Sequence, residues 1–443
     1  MASAGALLNK RRFLPLFVTQ LLGAFNDNLY KNAMVLFVVY SVYNDETAET
    51  WFSAIATAVF ILPFFLLSAL AGQLADTRDK AVIIRIVKFC EIIIMLVGGT
   101  GLYLAWAGTA VHTIAIPLMM LALFAMGIHS TFFGPIKYAI LPQHLEDGEV
   151  LGGTGLVEAG TYIAILLGTI LAGWIDVEVA GIAVVVTAII GYFTARQVPP
   201  APPMTERTKL DYNFIRASIA LIKATMKVKR VFLAIIAISF FWTIGAVLFI
   251  QFPPLAKNVL TASKEVASLF LVVFSVGVAI GSVAINALLK GTVSARYSPA
   301  SVIVMGLFVV AFFFVCRQWV PDTAGSLFTV GEFVQHSMAI PLLLSLLGIA
   351  VAGGMFVVPL YAFLTTTVHK SEAARTIAAN NIVNSGAMVI GSLSAIGLSL
   401  AGLQVIYQLL LSAAMCVFAA WLGHLLHQAS LEPHGDHELG PAE

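Results

Sequence analysis

The chain has 443 residues, of which 60% are hydrophobic and 11% are charged, and its formal net charge is +1. A soluble globular domain carries about 25% charged residues, so this composition indicates a multi-pass membrane protein. The near-zero net charge, without a basic patch interleaved with aromatic residues, excludes nucleic acid as an expected partner. The three cysteines lie in apolar runs and predict neither a disulfide framework nor a metal site.

The apolar runs predict an all-α membrane protein with twelve transmembrane helices, because a spanning helix needs about 20 mostly apolar residues. Most of the 24 lysines and arginines fall in segments that are cytoplasmic when both termini lie inside the cell, which is therefore the expected orientation. The predicted spans are 13–42, 51–75, 83–107, 113–137, 151–174, 179–196, 231–256, 266–289, 299–318, 338–367, 376–401 and 403–427.

The longest connection, residues 197–230, divides the spans into two sets of six. It opens with the proline-rich run 199–203, which cannot be helical. A basic amphipathic segment, 212–229, follows and is expected to lie along the membrane surface. The predicted organisation is an N-terminal six-helix half (1–196), a cytoplasmic linker (197–230), a C-terminal six-helix half (231–427) and a disordered tail (428–443).

A weak internal repeat supports two related halves. In the first half Phe132–Leu141 precedes Gly155–Glu158, and in the second half Phe356–Leu364 precedes Asn381–Asn384. Each copy contains a proline and joins the fourth to the fifth span of its half. Parallel halves of this kind are typical of two-lobed secondary transporters.

A polar block, residues 26–32, interrupts the first span near its centre. A charged side chain at the bilayer centre costs roughly 3 kcal/mol, so Asp27 and Lys31 are expected to face a protein interior or a water-filled cavity. They lie one helical turn apart, which leaves two interpretations open. Either they form a structural ion pair, or together with Asn28 they bind a substrate, with Asp27 accepting from an ammonium group and Lys31 contacting a phosphate.

The loop between the second and third spans contains Gly72, then Asp76 four residues later, then Arg78 and Lys80. This pattern resembles the loop signature of the major facilitator superfamily. The resemblance implies a gating role for these four residues. Gly72 is expected to let two helices approach closely.

Three further strings resemble the bacterial lysophospholipid transporter family and the transporter half of its fusions with acyltransferases. They are 20–28 (QLLGAFNDN), 135–141 (PIKYAIL) and 155–158 (GLVE). The segment Ser239–Trp242 and the repeat around Pro359 agree with this resemblance. None of the strings is long, so the resemblance depends on their order and spacing.

In this family a span-one aspartate corresponds to Asp27, and the resemblance implies that Lys137 binds phosphate near the cytoplasmic side. From the residues alone, Lys137 equally well extends toward the membrane surface. Glu158 lies deeper and is expected to pair with Lys137, take a proton or meet a headgroup amine. The family carries an arginine in span seven where this chain has Phe249, and Lys31 is the candidate replacement cation.

The remaining polar residues of the spans have ordinary structural interpretations. Trp242 and Asn384 are candidate substrate contacts in the second half, although a single polar residue in a span more often forms a helix–helix hydrogen bond. Lys88 and Glu91, one turn apart in the third span, are interpreted as a structural pair, and His129 as a packed histidine.

The leading hypothesis is a secondary transporter that moves lysophospholipid across the bacterial inner membrane toward the cytoplasmic leaflet by alternating access. The alternative is a proton-coupled transporter or exporter of a small solute or amphipathic drug. An enzyme is not expected, because no loop histidine has the His-x-x-x-x-Asp spacing of the acyltransferases. No cofactor or metal is expected. The expected partners are the amphipathic substrate, membrane lipids and a separate acyltransferase, and the expected state is a monomer.

Overall fold

The computed structural model describes residues 4–203, 213–289, 294–320, 326–367 and 373–431, and several side chains within these ranges, those of Asp76 and Glu158 among them, lie outside the description. Within this part, nine helices are long and apolar enough to cross a membrane by length and composition. Three further long helices complete a set of twelve, which confirms the predicted fold class. The twelve are α1 (Leu14–Phe37), α2 (Glu46–Thr77), α3 (Lys80–Trp106), α4 (Ile116–Ala139), α5 (Asp147–Trp174), α6 (Val177–Ala195), α7 (Lys229–Asn258), α8 (Lys264–Leu288), α9 (Ser298–Gln318), α10 (Ala339–Thr367), α11 (Ala373–Leu400) and α12 (Val405–Leu431).

Polar caps extend several helices beyond their apolar runs. The carboxylate of Asp45 accepts from the Ala48 N–H at 2.8 Å, so α2 begins five residues before the predicted 51. α12 continues to Leu431, so the first four residues of the predicted tail are helical. Residues 432–443 lie outside the described part. Hydropathy alone misses the start of α2 because its capping group is polar.

The start of α1 is tied to the start of α5 by charged groups. Glu146 and Glu149 form a capping box at the N-terminus of α5. Lys10 pairs with Glu149, and Arg12 Nη2 lies 2.6 Å from Glu149 Oε2. The two helices then run against each other, and a Cβ atom at Gly168 of α5 would lie 2.6 Å from the carbonyl oxygen of Phe25. Glycine there lets α1 approach closely enough to bring its polar block against α5.

The helices pack in two sets that meet along two seams. In the first set α1 packs on α5 and α6, α2 on α4, and α3 on α4 and α6. In the second set α10 packs on α8 and α9, and α7 on α11 and α12. The seams are α2 against α11 and α5 against α8. We call the end of the bundle that carries the linker the inner end and the opposite end the outer end.

The proline-rich start of the linker is bound to the inner end of the first set. Arg85 Nη2 donates to the Val198 carbonyl at 3.0 Å, and the Asp79 carboxylate accepts from the Ala201 N–H at 3.2 Å. The amphipathic segment forms a helix over Phe214–Thr225, shorter than the predicted 212–229, and packs against both α2 and α11.

Candidate functional site

The polar block of α1 presents three pairs of side chains in three directions, because residues four apart share one helix face. Asn26 and Tyr30 point into the bundle: Asn26 Nδ2 donates to Glu91 Oε1 at 2.8 Å, and the Tyr30 hydroxyl donates to the Met119 carbonyl at 2.9 Å. These two residues therefore hold α1 against α3 and α4.

The second pair, Asn28 and Asn32, faces α5. Asn32 Nδ2 donates to Thr169 Oγ1 at 3.1 Å, and Asn28 Nδ2 donates to the Ala24 carbonyl at 2.8 Å. The third pair, Asp27 and Lys31, faces an internal cavity of about 230 Å³. This inner cavity is lined by Gln20, Gly23, Ala24, Asp27, Asn28, Lys31, Phe60, Phe64, His129, Ser130, Phe133, Gly134, Lys137, Thr161 and Ile165.

Among the contacts that the structure describes, Asp27 and Lys31 do not form an ion pair with each other. The interpretation of these two residues as a structural ion pair is therefore wrong. Ser130 Oγ donates to Asp27 Oδ2 at 2.5 Å instead. Asp27 Oδ1 is buried and has no hydrogen-bond partner in the part of the chain that the structure describes. Lys31 Nζ lies 5.6 Å from the ring centroid of Phe60. Both charges are thus presented to the cavity.

Lys137 lies at the inner end of the same cavity. Its Nζ donates to Thr161 Oγ1 at 3.3 Å, and Thr161 Oγ1 in turn donates to Gln20 Oε1 at 2.9 Å. The side chain therefore points into the cavity rather than out to the membrane surface. The predicted role of Glu158, including its pairing with Lys137, lies outside the described side chains.

A second, outer cavity of about 80 Å³ continues from Lys31 toward the outer end. It is lined by helices of both sets, including Thr169 of α5, Phe249 and Pro253 of α7 and Ser275 of α8. Lys31 lines both cavities and stands at their boundary. Phe249, where the resembling family has its arginine, packs edge-to-face on Phe274 and lies in the same outer cavity as Lys31.

A buried charged cluster lies directly behind the inner cavity. Lys88 and Glu91 form an ion pair with both side chains fully buried, as the structural interpretation of this pair predicts. A Cβ atom at Gly191 of α6 would lie 2.9 Å from Lys88 Cε, so glycine makes room for this lysine. His129 Nε2 lies 3.1 Å from Glu91 Oε2. Sequence analysis missed this role of His129, although a His-Ser pair in an apolar helix was an available signal.

The candidate residues of the second half form a separate polar cluster. Trp242 Nε1 donates to the Tyr361 hydroxyl at 2.7 Å, Asn384 Nδ2 donates to the same oxygen at 3.4 Å, and Ser239 Oγ donates to Asn384 Oδ1 at 2.7 Å. Neither Trp242 nor Asn384 is among the described residues that line the two cavities. The structure therefore does not bring them together with Asp27.

The loop between α2 and α3 departs from the expected geometry in one respect. A Cβ atom at Gly72 would meet no described atom within 4 Å, so the described part of the chain does not show the expected close approach of two helices there. Arg78 is exposed and Lys80 is buried, while the side chain of Asp76 lies outside the description. Asp79, which sequence analysis passed over, caps α3 by accepting from the Ala81 N–H at 2.9 Å.

The two sets are joined at their outer ends by polar contacts that we call the outer latch. Lys257 Nζ of α7 lies 2.5 Å from Glu49 Oε1 of α2 and donates to the Val39 and Tyr43 carbonyls at 2.7 Å each. Asn258 Nδ2 donates to Glu49 Oε2 at 2.5 Å. These contacts close the outer ends of α1, α2 and α7 above the two cavities.

Comparison with known proteins identifies the fold. The family model of the Major Facilitator Superfamily matches residues 16–392. Proteins named lysophospholipid transporter LplT from Salmonella heidelberg and Salmonella typhimurium are similar to this chain, at 24% identity over 390 residues that cover 85% of this chain and 85% of theirs.

Solved structures of transporters share the fold at low identity. A D-xylose-proton symporter superposes with a TM-score of 0.67 and 14% identity, covering 93% of this chain and 96% of its own. A bacterial homologue of the human lysosomal transporter Spinster gives a TM-score of 0.67 and 12% identity, covering 98% and 99%. The family match over most of the sequence, together with this fold, shows that the chain belongs to the major facilitator superfamily.

Proposed function

We propose that this secondary transporter moves lysophospholipid across the bacterial inner membrane toward the cytoplasmic leaflet. The observation that carries the proposal is the charge arrangement of the inner cavity. One carboxylate, Asp27, has an oxygen without a partner among the described residues, and two lysines, Lys31 and Lys137, line the same space. A zwitterionic headgroup has one cation and one anion to satisfy, and this cavity offers a partner for each.

The headgroup amine binds Asp27, and the phosphate binds Lys31 in the upper part of the cavity and Lys137 as the substrate moves inward. Phe60, Phe64 and Phe133 supply an apolar wall on the same cavity for the first carbons of the lipid. Lys31 takes the place of the span-seven arginine of the resembling family, since the described residues of α7 and α8 that line the outer cavity include Phe249 and no cation.

The similarity to the Salmonella lysophospholipid transporters supports the same substrate class. We propose, in line with it, that both termini face the cytoplasm, that the protein acts as a monomer and that a separate acyltransferase uses the delivered lipid. Glu158 of α5, Trp242 and Asn384 remain proposed contacts for other stages of transport. Gly72, Asp76, Arg78 and Lys80 remain the proposed gating residues.

The test is uptake of labelled lysophosphatidylethanolamine into proteoliposomes, with lysophosphatidylglycerol, lysophosphatidylcholine and free glycerophosphoethanolamine as competitors. The Asp27→Asn and Lys31→Met variants are expected to abolish uptake, since each removes one headgroup charge partner. Matched controls are Asp176→Asn and Lys227→Met, which remove an exposed carboxylate and an exposed ammonium outside the cavities.

Uptake that survives both Asp27→Asn and Lys31→Met would contradict the headgroup site. Competition by glycerophosphoethanolamine as strong as that of the intact lysolipid would show that the acyl chain is not recognised, and would favour a small polar solute as the substrate.

A further inference from the structure

His129 stands between two carboxylates in one chain of hydrogen-bonding groups. Its Nε2 lies 3.1 Å from Glu91 Oε2, and its Nδ1 lies 3.4 Å from Ser130 Oγ. Ser130 Oγ lies 2.5 Å from Asp27 Oδ2, at the wall of the inner cavity. A hydrogen-bonded path therefore runs from His129 through Ser130 to Asp27 at the candidate substrate site, and the buried Lys88–Glu91 pair lies beside His129 at its other end.

Two arrangements of hydrogens satisfy the donors and acceptors along this path, and in the first of them Asp27 is ionised. An ionised carboxylate only accepts hydrogen bonds, and the ion pair with Lys88 keeps Glu91 ionised. Nε2 of His129 faces this carboxylate at 3.1 Å, and we assign it a hydrogen on that ground. Ser130 has a single hydroxyl hydrogen, and an ionised Asp27 requires it. In this arrangement Nδ1 of His129 faces an oxygen that has no hydrogen left to give, so the proton is assigned to Nδ1, opposite an ionised Asp27.

A second arrangement satisfies the same atoms with the charges removed. The hydrogen on His129 Nδ1 passes to Ser130 Oγ, and the original Ser130 hydrogen passes to Asp27 Oδ2. One N–H bond breaks at His129 and one O–H bond forms at Asp27, while Ser130 gives up one hydrogen and gains another, so that a neutral imidazole and a neutral carboxylic acid remain. Glu91 and Lys88 are unchanged, and the summed charge of Asp27 and His129 is zero in both arrangements.

We propose that Asp27 and His129 share one proton through Ser130, and that this proton site sets the charge of Asp27 according to whether a cationic substrate group is bound. With the cavity empty, the proton rests on Asp27, and no uncompensated carboxylate is buried when the empty transporter changes conformation. A bound ammonium group favours the ionised carboxylate and moves the proton onto His129.

The charged groups that face this path are few in the described part of the chain. Lys88 and Glu91 come from α3, Asp27 and Lys31 from α1, and Lys137 lies further along α4 in the same cavity. Glu91 stabilises the imidazolium on the side of His129 that faces away from the inner cavity. Lys31 stabilises the ionised form of Asp27 from the cavity side. The sharing of the proton does not depend on the substrate, whereas its response to a ligand rests on the proposed function.

The test uses the full chain with nitrogen-15-labelled histidine in lipid nanodiscs, and follows the ring nitrogen signals through a pH titration. His129→Gln assigns the signal, and His112→Gln, at an outer loop away from the cavity, is the control. Coupled groups titrate in two macroscopic steps, so the wild-type His129 signal is expected to show two. Asp27→Asn and Ser130→Ala are expected to reduce this to one step.

A single step that is the same in wild type and Asp27→Asn would overturn the proposal. Addition of lysophosphatidylethanolamine at neutral pH is expected to convert His129 to the doubly protonated form in wild type and not in Ser130→Ala. Two steps without any response to this lipid would uphold the shared proton and count against the proposed substrate, so the two failures are distinguishable.

Discussion

Removing the Lys257 ammonium is expected to shift the protein from its outward-closed conformation toward an outward-open one. This ammonium makes one ion pair with Glu49 and two hydrogen bonds to the Val39 and Tyr43 carbonyls, all across the outer latch. A hydrogen bond to a charged group contributes about 1.5–3 kcal/mol, and the three share one cation, so we take about 3 kcal/mol for the set. That free energy corresponds to roughly a hundredfold change in the conformational equilibrium of Lys257→Met.

The assay is labelling by a membrane-impermeant thiol reagent added to intact cells. Ser275 lines the outer cavity below the latch, so Ser275→Cys places a reporter thiol there with little change in shape. Cys90 is replaced by serine because it is the exposed native cysteine, whereas Cys316 and Cys416 are buried. Labelling of the Ser275→Cys reporter is expected to be slow with Lys257 present and much faster with Lys257→Met.

The control is Arg317→Met, which removes an exposed cation from the outer end without touching the latch. It is expected to leave the labelling rate unchanged. Equal labelling rates with and without Lys257 would refute the reasoning, because they would show that the latch does not hold the outer ends together.

Three further predictions concern other parts of the bundle. Lys88→Met is expected to destabilise the protein by about 3–5 kcal/mol because Glu91 is left buried without its cation, whereas the double variant Lys88→Met/Glu91→Gln recovers most of this loss in a thermal unfolding assay. The hydrogen bond from Lys10 holds the pKa of Glu149 below its usual value, so the stability advantage of wild type over Glu149→Gln is expected at neutral pH and should disappear as the pH falls through that lowered value. Gly168→Val is expected to cost about 1–3 kcal/mol by overpacking the contact between α1 and α5 and to lower uptake, whereas Gly72→Val, with open space around it, should be tolerated in stability.

The fold was predictable because bilayer thickness imposes a length on every span. The twelve apolar runs and the linker between the halves follow from hydropathy. The proline-rich break at 199–203 follows because proline has no backbone N–H. The helix starts at Glu46 and Lys80 were missed because Asp45 and Asp79 cap them with polar atoms, and polar atoms lower the hydropathy that marks a span.

The candidate site was predictable only in part. The mid-span position of Asp27 and Lys31 identified the cavity wall, since charges are expensive in hydrocarbon. The spacing of Asp27 and Lys31 also permitted an ion pair, and only the position of Ser130 on another helix shows why none forms. His129 was given a packing role because its partner Glu91 comes from a different helix, and one-dimensional spacing carries no information about such contacts.

The three directions taken by residues 26–32 have a consequence for sequence variation in this protein. Substitutions at three successive positions of this block act on different properties: one at Asn26 weakens the bundle, one at Asp27 alters the wall of the inner cavity and one at Asn28 disturbs the contact with α5. The tolerance of each position to substitution should therefore alternate with the helical turn along the block, without a smooth gradient. The three pairs of residues in this short segment are thus expected to vary under three different constraints.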